Sequence, residues 1–139
     1  MEPSYEFFDH TADIGIRVRA PTLSALIIPA GEALYAVIGE IAGRGDRKPV
    51  TFDLTGEEPG ELLRDYLGEL LILFERDARI ASAVEVSTFT DSRLAVTVHA
   101  RPIDRGSSVF HHEVKAVTYH ELDVKAVPGG YEATIIVDI

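Results

Sequence analysis

The chain has 139 residues, 46% hydrophobic and 26% charged, which is the size and composition of one soluble domain with its own core. It contains no cysteine, which excludes disulfide bonds and thiolate metal sites. The formal net charge of −10 argues against free-standing nucleic-acid binding, because such binding depends on cations that neutralise phosphates. No apolar stretch reaches membrane-spanning length and the N-terminus lacks a signal-peptide pattern, so we expect a cytoplasmic protein with no membrane partner.

The first third of the sequence predicts two strands followed by a helix. Residues 5–8 form a short apolar strand, and residues 14–20 alternate apolar and polar side chains, as a half-buried strand does. Thr22 is a candidate helix N-cap, and apolar residues follow it at helical spacing. Pro29 lies inside that pattern. Because proline removes a backbone hydrogen bond, we expect it to disturb the helix near residues 27–30.

The rest of the chain predicts mostly strands around one long helix. The second helix carries an apolar stripe at the spacing of a core-facing surface, formed by Leu62, Leu63, Tyr66, Leu67, Leu70, Leu71 and Phe74. The period of residues 109–120 is ambiguous between strand and a short helical turn. The strands are predicted at residues 49–54, in a hairpin of 84–89 and 94–100, and in a closing hairpin of 122–127 and 131–138.

Together these elements predict an α+β domain. Two helices pack on a largely antiparallel sheet, and residues 1–139 form a single compact domain. The second face of the sheet is either covered by the extra hairpin or partly solvated.

Carboxylates at strand ends are the strongest candidates for a functional site. Asp13 precedes an apolar strand, and Asp138 is the polar residue in the apolar run at the C-terminus. Carboxylate oxygens suit hard cations such as calcium or magnesium, and the α-carboxylate of Ile139 would add another oxygen ligand. The alternative is that Asp13 is an Asx-turn residue and that Asp138 lies where the last strand frays.

Three further side chains could take part in chemistry or partner contact. His10 lies beside Asp13, while Lys115 and His120 lie in the ambiguous segment. Lys115 is either an ordinary exposed lysine or a residue that reaches a phosphate or carboxylate. The sequence contains no HExxH, P-loop or GxSxG spacing, which argues against the common hydrolase sites.

Three motifs in order resemble the archease family. They are His10-Thr11-Ala12-Asp13-Ile14-Gly15, the segment Val114-Lys115-Ala116-Val117-Thr118-Tyr119-His120-Glu121-Leu122, and the final Val137-Asp138-Ile139. The resemblance implies a protein that is not itself an enzyme. It implies a cofactor of the guanylylating RNA-splicing ligase of tRNA splicing, one that promotes guanylylation and turnover of that ligase.

The resemblance also implies roles for particular residues. Asp13, Asp138 and Ile139 would hold a divalent ion, calcium first and magnesium or manganese as alternatives, and Lys115 would be functionally important nearby. Two other functions stay open at this stage: a small metal-dependent phosphohydrolase or nucleotide-binding enzyme that uses the same residues, and a general chaperone or adaptor.

Overall fold

The computed structural model describes residues 1–10 and 12–139. Over those residues the chain forms two α-helices, α1 (Ile27–Ile38) and α2 (Pro59–Asp77), and ten strands. This is the predicted α+β class. The strands are β1 (Ser4–His10), β2 (Asp13–Ala20), β3 (Gly39–Glu40), β4 (Lys48–Thr55), β5 (Arg79–Phe89), β6 (Arg93–Pro102), β7 (Val109–Phe110), β8 (Ala116–Val117), β9 (Asp123–Val127) and β10 (Gly130–Asp138).

The two ends of the chain meet in one antiparallel sheet, here called the terminal sheet. Its strand order is β1-β2-β10-β8, and β9 also pairs with β10. The alternation predicted for residues 14–20 is present, because Ile16, Val18 and Ala20 have no exposed surface while Arg17 and Arg19 lie on the outer face. In the register, Ile135 pairs with Ile16, so the inward faces of β2 and β10 form one apolar layer.

The predicted hairpin of residues 84–100 belongs to a second antiparallel sheet, here called the hairpin sheet. Its order is β4-β6-β5. The single sheet of the prediction is therefore divided, and a short β3–β7 pair stands beside the two larger sheets. Strand β5 also begins earlier than expected, at Arg79, with register shifts at Ala81/Ala83 and Val86/Thr88. Bulges of this kind bend a strand without breaking its pairing.

The helices pack on both sheets. Helix α1 packs on β1 and β2, whereas α2 packs on β4, β5 and β6 of the hairpin sheet and on β8 and β9 of the terminal sheet. The predicted stripe of α2 is confirmed, and of its members only Phe74 is partly exposed. Because the apolar stripe of α2 is wide, this helix can pack against both sheets at once.

Pro29 disturbs its helix less than expected. A 3₁₀ turn (Ser24–Leu26) precedes α1, and the Thr22 hydroxyl accepts a hydrogen bond from the backbone N–H of Ala25 at 3.1 Å. Since α1 begins only at Ile27, Pro29 lies in its first turn, where a backbone N–H has no partner within the helix.

The ambiguous segment forms no continuous element. It contains the two short strands β7 and β8, with irregular chain between them. Among the described residues, neither helix has the length and apolar character needed to cross a bilayer.

Candidate functional site

The candidate carboxylates lie opposite each other at one end of the terminal sheet. Asp13 pairs with Asp138 across β2 and β10, and on its other side Asp13 pairs with His10 of β1. Residues directly opposite on antiparallel strands point to the same face with Cβ atoms about 5 Å apart. The strands that carry the two aspartates, β2 and β10, are therefore neighbours in the sheet.

The turn before Asp13 holds an unusual backbone conformation. Ala12 has φ +60°, in the left-handed region that L-residues other than asparagine and aspartate rarely adopt. Holding an alanine there costs on the order of 1 kcal/mol. This conformation lies between the last residue of β1 and the first residue of β2, next to the aspartate pair.

The second motif is tied to the last strand by its backbone. The N–H of Lys115 donates to the carbonyl of Asp138 at 2.8 Å, and Ala116 pairs with Asp138 in the sheet. Further along, the backbone N–H and the hydroxyl of Thr118 both donate to the carbonyl of Ile136 at 3.0 Å. All three sequence motifs therefore meet at one end of the terminal sheet.

Helix α2 holds this segment from the other side. The Arg64 Nε donates to the carbonyl of Val117 at 2.9 Å, and its guanidinium lies 4.4 Å from the ring centroid of Tyr119. The Arg64 guanidinium also bonds the carboxylate of Asp65 at 3.1 Å. The sequence does not predict this role of Arg64, because a contact with a residue 53 positions away leaves no local pattern.

Gly15 of the first motif has a steric explanation. A Cβ built on Gly15 would overlap the ring of Phe8, which is its partner on β1. The Arg17 guanidinium lies 4.7 Å from the centroid of the same ring, within reach of a cation–π contact. The absence of a side chain at Gly15 therefore provides the space that the Phe8 ring occupies.

The oxygen donors present suit a hard cation. Asp13 and Asp138 are partly buried carboxylates in opposed positions. Two like charges facing each other across strands are unfavourable, and a cation between them would relieve that cost. Among the described residues, no three His, Asp or Glu side chains form a group that could hold a metal. The described side chains alone therefore supply too few ligands for a closed metal site.

The other predicted residues are placed differently. Lys115 is exposed and borders a cleft of about 360 Å³ against α2, together with Asp65 and Glu69. His120 is exposed in a turn, with its Nε2 atom 3.9 Å from Glu121 Oε1, four residues beyond the Ala116–Asp138 pair. Thr11 and the side chain of His10 lie outside the described residues.

A charge network that the sequence did not predict lies on the same outer face. The Arg19 Nε donates to the Glu132 carboxylate at 2.8 Å, while Arg17 and Lys125 lie at 3.9 Å from it. The hydrogen bond from Arg19, with the nearby positive charges, lowers the pKa of Glu132. This network stabilises the pairing of β2 and β10 at the end of the sheet away from Asp13.

Comparison with known proteins gives a consistent result over nearly the whole chain. Residues 5–139 match the model of the family described as "Archease protein family (MTH1598/TM1083)". The chain is 32% identical to the protein archease of Methanopyrus kandleri, over 97% of this chain and 99% of that protein. It is 28% identical to the archease-like protein of Drosophila melanogaster, over 99% of this chain and 92% of that one.

Solved structures agree with the fold. The solution structure of protein 1598 of Methanobacterium thermoautotrophicum matches with a TM-score of 0.74 at 26% identity, covering 97% of this chain and 98% of that one. The crystal structure of a Thermotoga maritima archease, described as a possible chaperone, matches with a TM-score of 0.66 at 17% identity. That match covers 95% of this chain and 94% of the other, and it bears on the fold alone.

Proposed function

Because this chain belongs to the archease family, we propose that it is an activating cofactor of the guanylylating RNA-splicing ligase in tRNA splicing. It promotes guanylylation and turnover of the ligase and does not itself catalyse RNA joining. One observation carries the proposal: the three motifs that resemble the family, though separated by most of the chain, meet around the Asp13–Asp138 pair.

The end of the terminal sheet that carries Asp13 and Asp138 binds the ligase. Asp13 and Asp138, with the carboxylate of Ile139, hold a divalent ion, for which calcium is the first candidate. The ion supplies positive charge at this end of an acidic protein and offsets the repulsion between the opposed carboxylates. It also stabilises the folded chain, by about 2.7 kcal/mol at a concentration one hundred times the dissociation constant.

Lys115 provides a cation at the same end. Its backbone is fixed to Asp138 by a hydrogen bond at 2.8 Å while its side chain is exposed, so its position is defined and its ammonium group is available to a partner. A lysine held in this way can orient a phosphate or pair with a carboxylate of the ligase. His10 and His120 are proposed to face the partner as well.

The test compares two isosteric changes with a matched control. Asp13→Asn and Asp138→Asn keep the shape of each side chain and remove its charge. Each is expected to weaken calcium binding by at least about tenfold in calorimetry, since even the loss of an outer-shell partner costs about 10–100-fold. Each is also expected to abolish stimulation of ligase guanylylation. Asp91→Asn, in the exposed turn between β5 and β6, should change neither.

Circular dichroism separates a functional loss from a folding defect. Native spectra with lost stimulation support the proposal, whereas full stimulation by Asp13→Asn overturns the assigned site. Phosphatase activity of the isolated chain that disappears in Asp13→Asn would favour the metal-dependent hydrolase instead.

The terminal carboxylate has its own test. A tag fused after Ile139 moves the free carboxylate away from Asp138 and should weaken both calcium affinity and ligase stimulation, whereas the same tag before Met1 should do neither. Equal calcium affinity in the two tagged proteins would remove the carboxylate of Ile139 from the site.

A further inference from the structure

Five basic residues gather at one end of the hairpin sheet, far along the chain from the motifs discussed above. They are Arg44, Arg47, Lys48, Arg79 and Arg101, here called the basic end, and they are five of the thirteen lysines and arginines in a chain of net charge −10. Their grouping is not local in sequence, because they come from the start of β4, the start of β5, the end of β6 and the loop before β4.

Backbone pairing brings these segments together. Lys48 pairs with Ala100 and Arg79 pairs with Pro102, the two neighbours of Arg101 on β6, so Lys48 and Arg79 lie on the face of the sheet opposite to Arg101. The N–H of Arg44 donates to the carbonyl of Pro102 at 2.9 Å. The basic end therefore surrounds one short stretch of β6, with positive charge on both faces of the sheet.

The loop also packs directly on Arg101. A Cβ added at Gly43 would lie 3.1 Å from Arg101 Cδ, closer than most real Cβ contacts. Gly43 further forms an isolated bridge with Ile103. The absence of a side chain at Gly43 lets the loop that carries Arg44 and Arg47 lie against the stem of Arg101.

Cations elsewhere in the structure are mostly neutralised by carboxylates. Arg93 pairs with Asp53 at 2.8 Å, Arg76 with Asp77 at 3.1 Å, and Arg19 with Glu132 at 2.8 Å. Within the described part of the chain, none of the five basic-end side chains has a carboxylate oxygen within 4.0 Å. Of the acidic residues nearest along the chain, Asp46 and Asp104 form none of these ion pairs, whereas Asp77 pairs with Arg76 and has its pKa lowered mainly by Arg76 and to a smaller extent by Arg79.

Two donors at the basic end also lack acceptors. Arg79 Nη1 and Arg101 Nε are buried and, in the described structure, make no hydrogen bond. A buried donor without an acceptor costs about 1–3 kcal/mol, so such groups call for an explanation. Anions bound by the remaining nitrogens of each guanidinium group would offset part of this cost, because neither side chain forms an ion pair within the described residues.

We propose that the basic end binds the phosphate backbone of a nucleic acid, and that in the proposed function this is the RNA on which the ligase acts. Four of the five residues are arginines, whose planar guanidinium groups can donate two parallel hydrogen bonds to phosphate oxygens. None of the large apolar side chains exposed in the described residues comes from the loop before β4 or from the ends of β4, β5 and β6 that carry the basic end. A protein partner would normally need such groups at the centre of its interface.

The net charge of the chain does not conflict with this proposal. The expectation against nucleic-acid binding was based on the net charge of the whole chain. Phosphate binding depends instead on the charge at the binding surface. Because the remaining surface is strongly acidic, affinity of the isolated protein should be weak and should depend steeply on salt. The basic end lies on the hairpin sheet and the Asp13–Asp138 pair on the terminal sheet, so RNA and ligase would contact different sheets.

The test measures binding of a fluorescein-labelled RNA hairpin by fluorescence anisotropy at 50 and 200 mM salt. The double variant Arg44→Gln/Arg47→Gln removes two exposed charges of the basic end. It should bind the hairpin about tenfold more weakly at 50 mM salt, and the slope of log affinity against log salt should fall by about two. The matched control Arg76→Gln/Lys125→Gln removes the same charge elsewhere and should match the wild type.

Several outcomes would overturn the proposal. It fails if the wild type does not bind the hairpin at 50 mM salt, or if both double variants bind it equally. It also fails if the wild type binds a polyglutamate peptide as tightly as the RNA, which would indicate an acidic protein partner. Ligase stimulation is measured in parallel on the wild type. Its absence would overturn the proposed function, whereas the anisotropy result judges the basic end by itself.

Discussion

At the scale of single residues, Gly15 shows how one missing side chain shapes the candidate site. A Cβ at this position would overlap the Phe8 ring. We therefore predict that Gly15→Ala lowers the free energy of unfolding by about 1–3 kcal/mol, the usual cost of an overpacked site. Denaturant titration monitored by circular dichroism measures it.

A double-mutant cycle identifies the cause of that loss. In a Phe8→Ala background the ring is absent, so Gly15→Ala should cost little. The same cost in both backgrounds would show that the strain comes from the backbone of β2 and not from Phe8.

Lys115 is predicted to matter for function and not for stability. Because its side chain is exposed, Lys115→Ala should change the free energy of unfolding by less than about 0.5 kcal/mol. Stimulation of ligase guanylylation should nevertheless drop sharply. Lys125→Ala, on the outer face of β9, serves as the control and should leave stimulation intact. If Lys115→Ala stimulates ligase guanylylation as well as the wild type does, Lys115 is an ordinary surface lysine.

At the scale of elements, one glycine from each helix, Gly68 of α2 and Gly31 of α1, shows how different surroundings change the effect of an added methyl group. Gly68 lies within α2, and a Cβ there would make an ordinary contact, 3.7 Å from Arg64 Nη1. Because alanine loses less backbone entropy than glycine, Gly68→Ala should raise the free energy of unfolding by about 0.5–1 kcal/mol. A higher melting temperature for Gly68→Ala than for the wild type would confirm this prediction.

The matched change in α1 should behave differently. A Cβ at Gly31 would lie 3.3 Å from Leu70 Cδ1, at the contact between the two helices. Gly31→Ala should therefore gain less stability than Gly68→Ala, or lose some, because the tight contact offsets the helix propensity. A larger gain at Gly31 would mean that the helices can separate at little cost.

At the scale of the whole molecule, the charge network between β2 and β10 makes stability depend on pH. The hydrogen bond from Arg19 lowers the pKa of Glu132 in the folded chain. A carboxylate with a lowered folded-state pKa stabilises the fold above its unfolded pKa, and that stabilisation disappears as the pH falls through the lowered value. Stability should therefore decrease below about pH 4.3, the ordinary pKa of glutamate.

The variant Glu132→Gln tests this assignment. It should reduce the free energy of unfolding at pH 7 by up to about 1 kcal/mol, and the difference from the wild type should shrink as the pH falls below the ordinary pKa of glutamate. Glu2→Gln, exposed at the N-terminus, should track the wild type over the whole pH range. A constant difference for Glu132→Gln across the range would assign its effect to packing and not to charge.

Much of the fold follows from local pattern. The alternation of residues 14–20 and the stripe of α2 each identify one buried face, because a strand repeats every two residues and a helix every 3.6. The α+β class follows from those two periods. The division of the strands into two sheets does not, since strand pairing depends on contacts across the chain that no local period encodes.

The candidate site also combines features that the sequence predicts with features that only the folded chain shows. The sequence by itself identified the family through its motifs, and it predicted oxygen donors at Asp13, Asp138 and Ile139 because carboxylates there adjoin apolar strands. Only the tertiary structure decided the geometry. The pairing of β2 with β10 places Asp13 opposite Asp138, the hydrogen bond to Asp138 fixes Lys115, and Arg64 holds Val117 from α2. The basic end likewise exists only in the folded chain, because strand pairing places distant charges side by side while composition reports their sum.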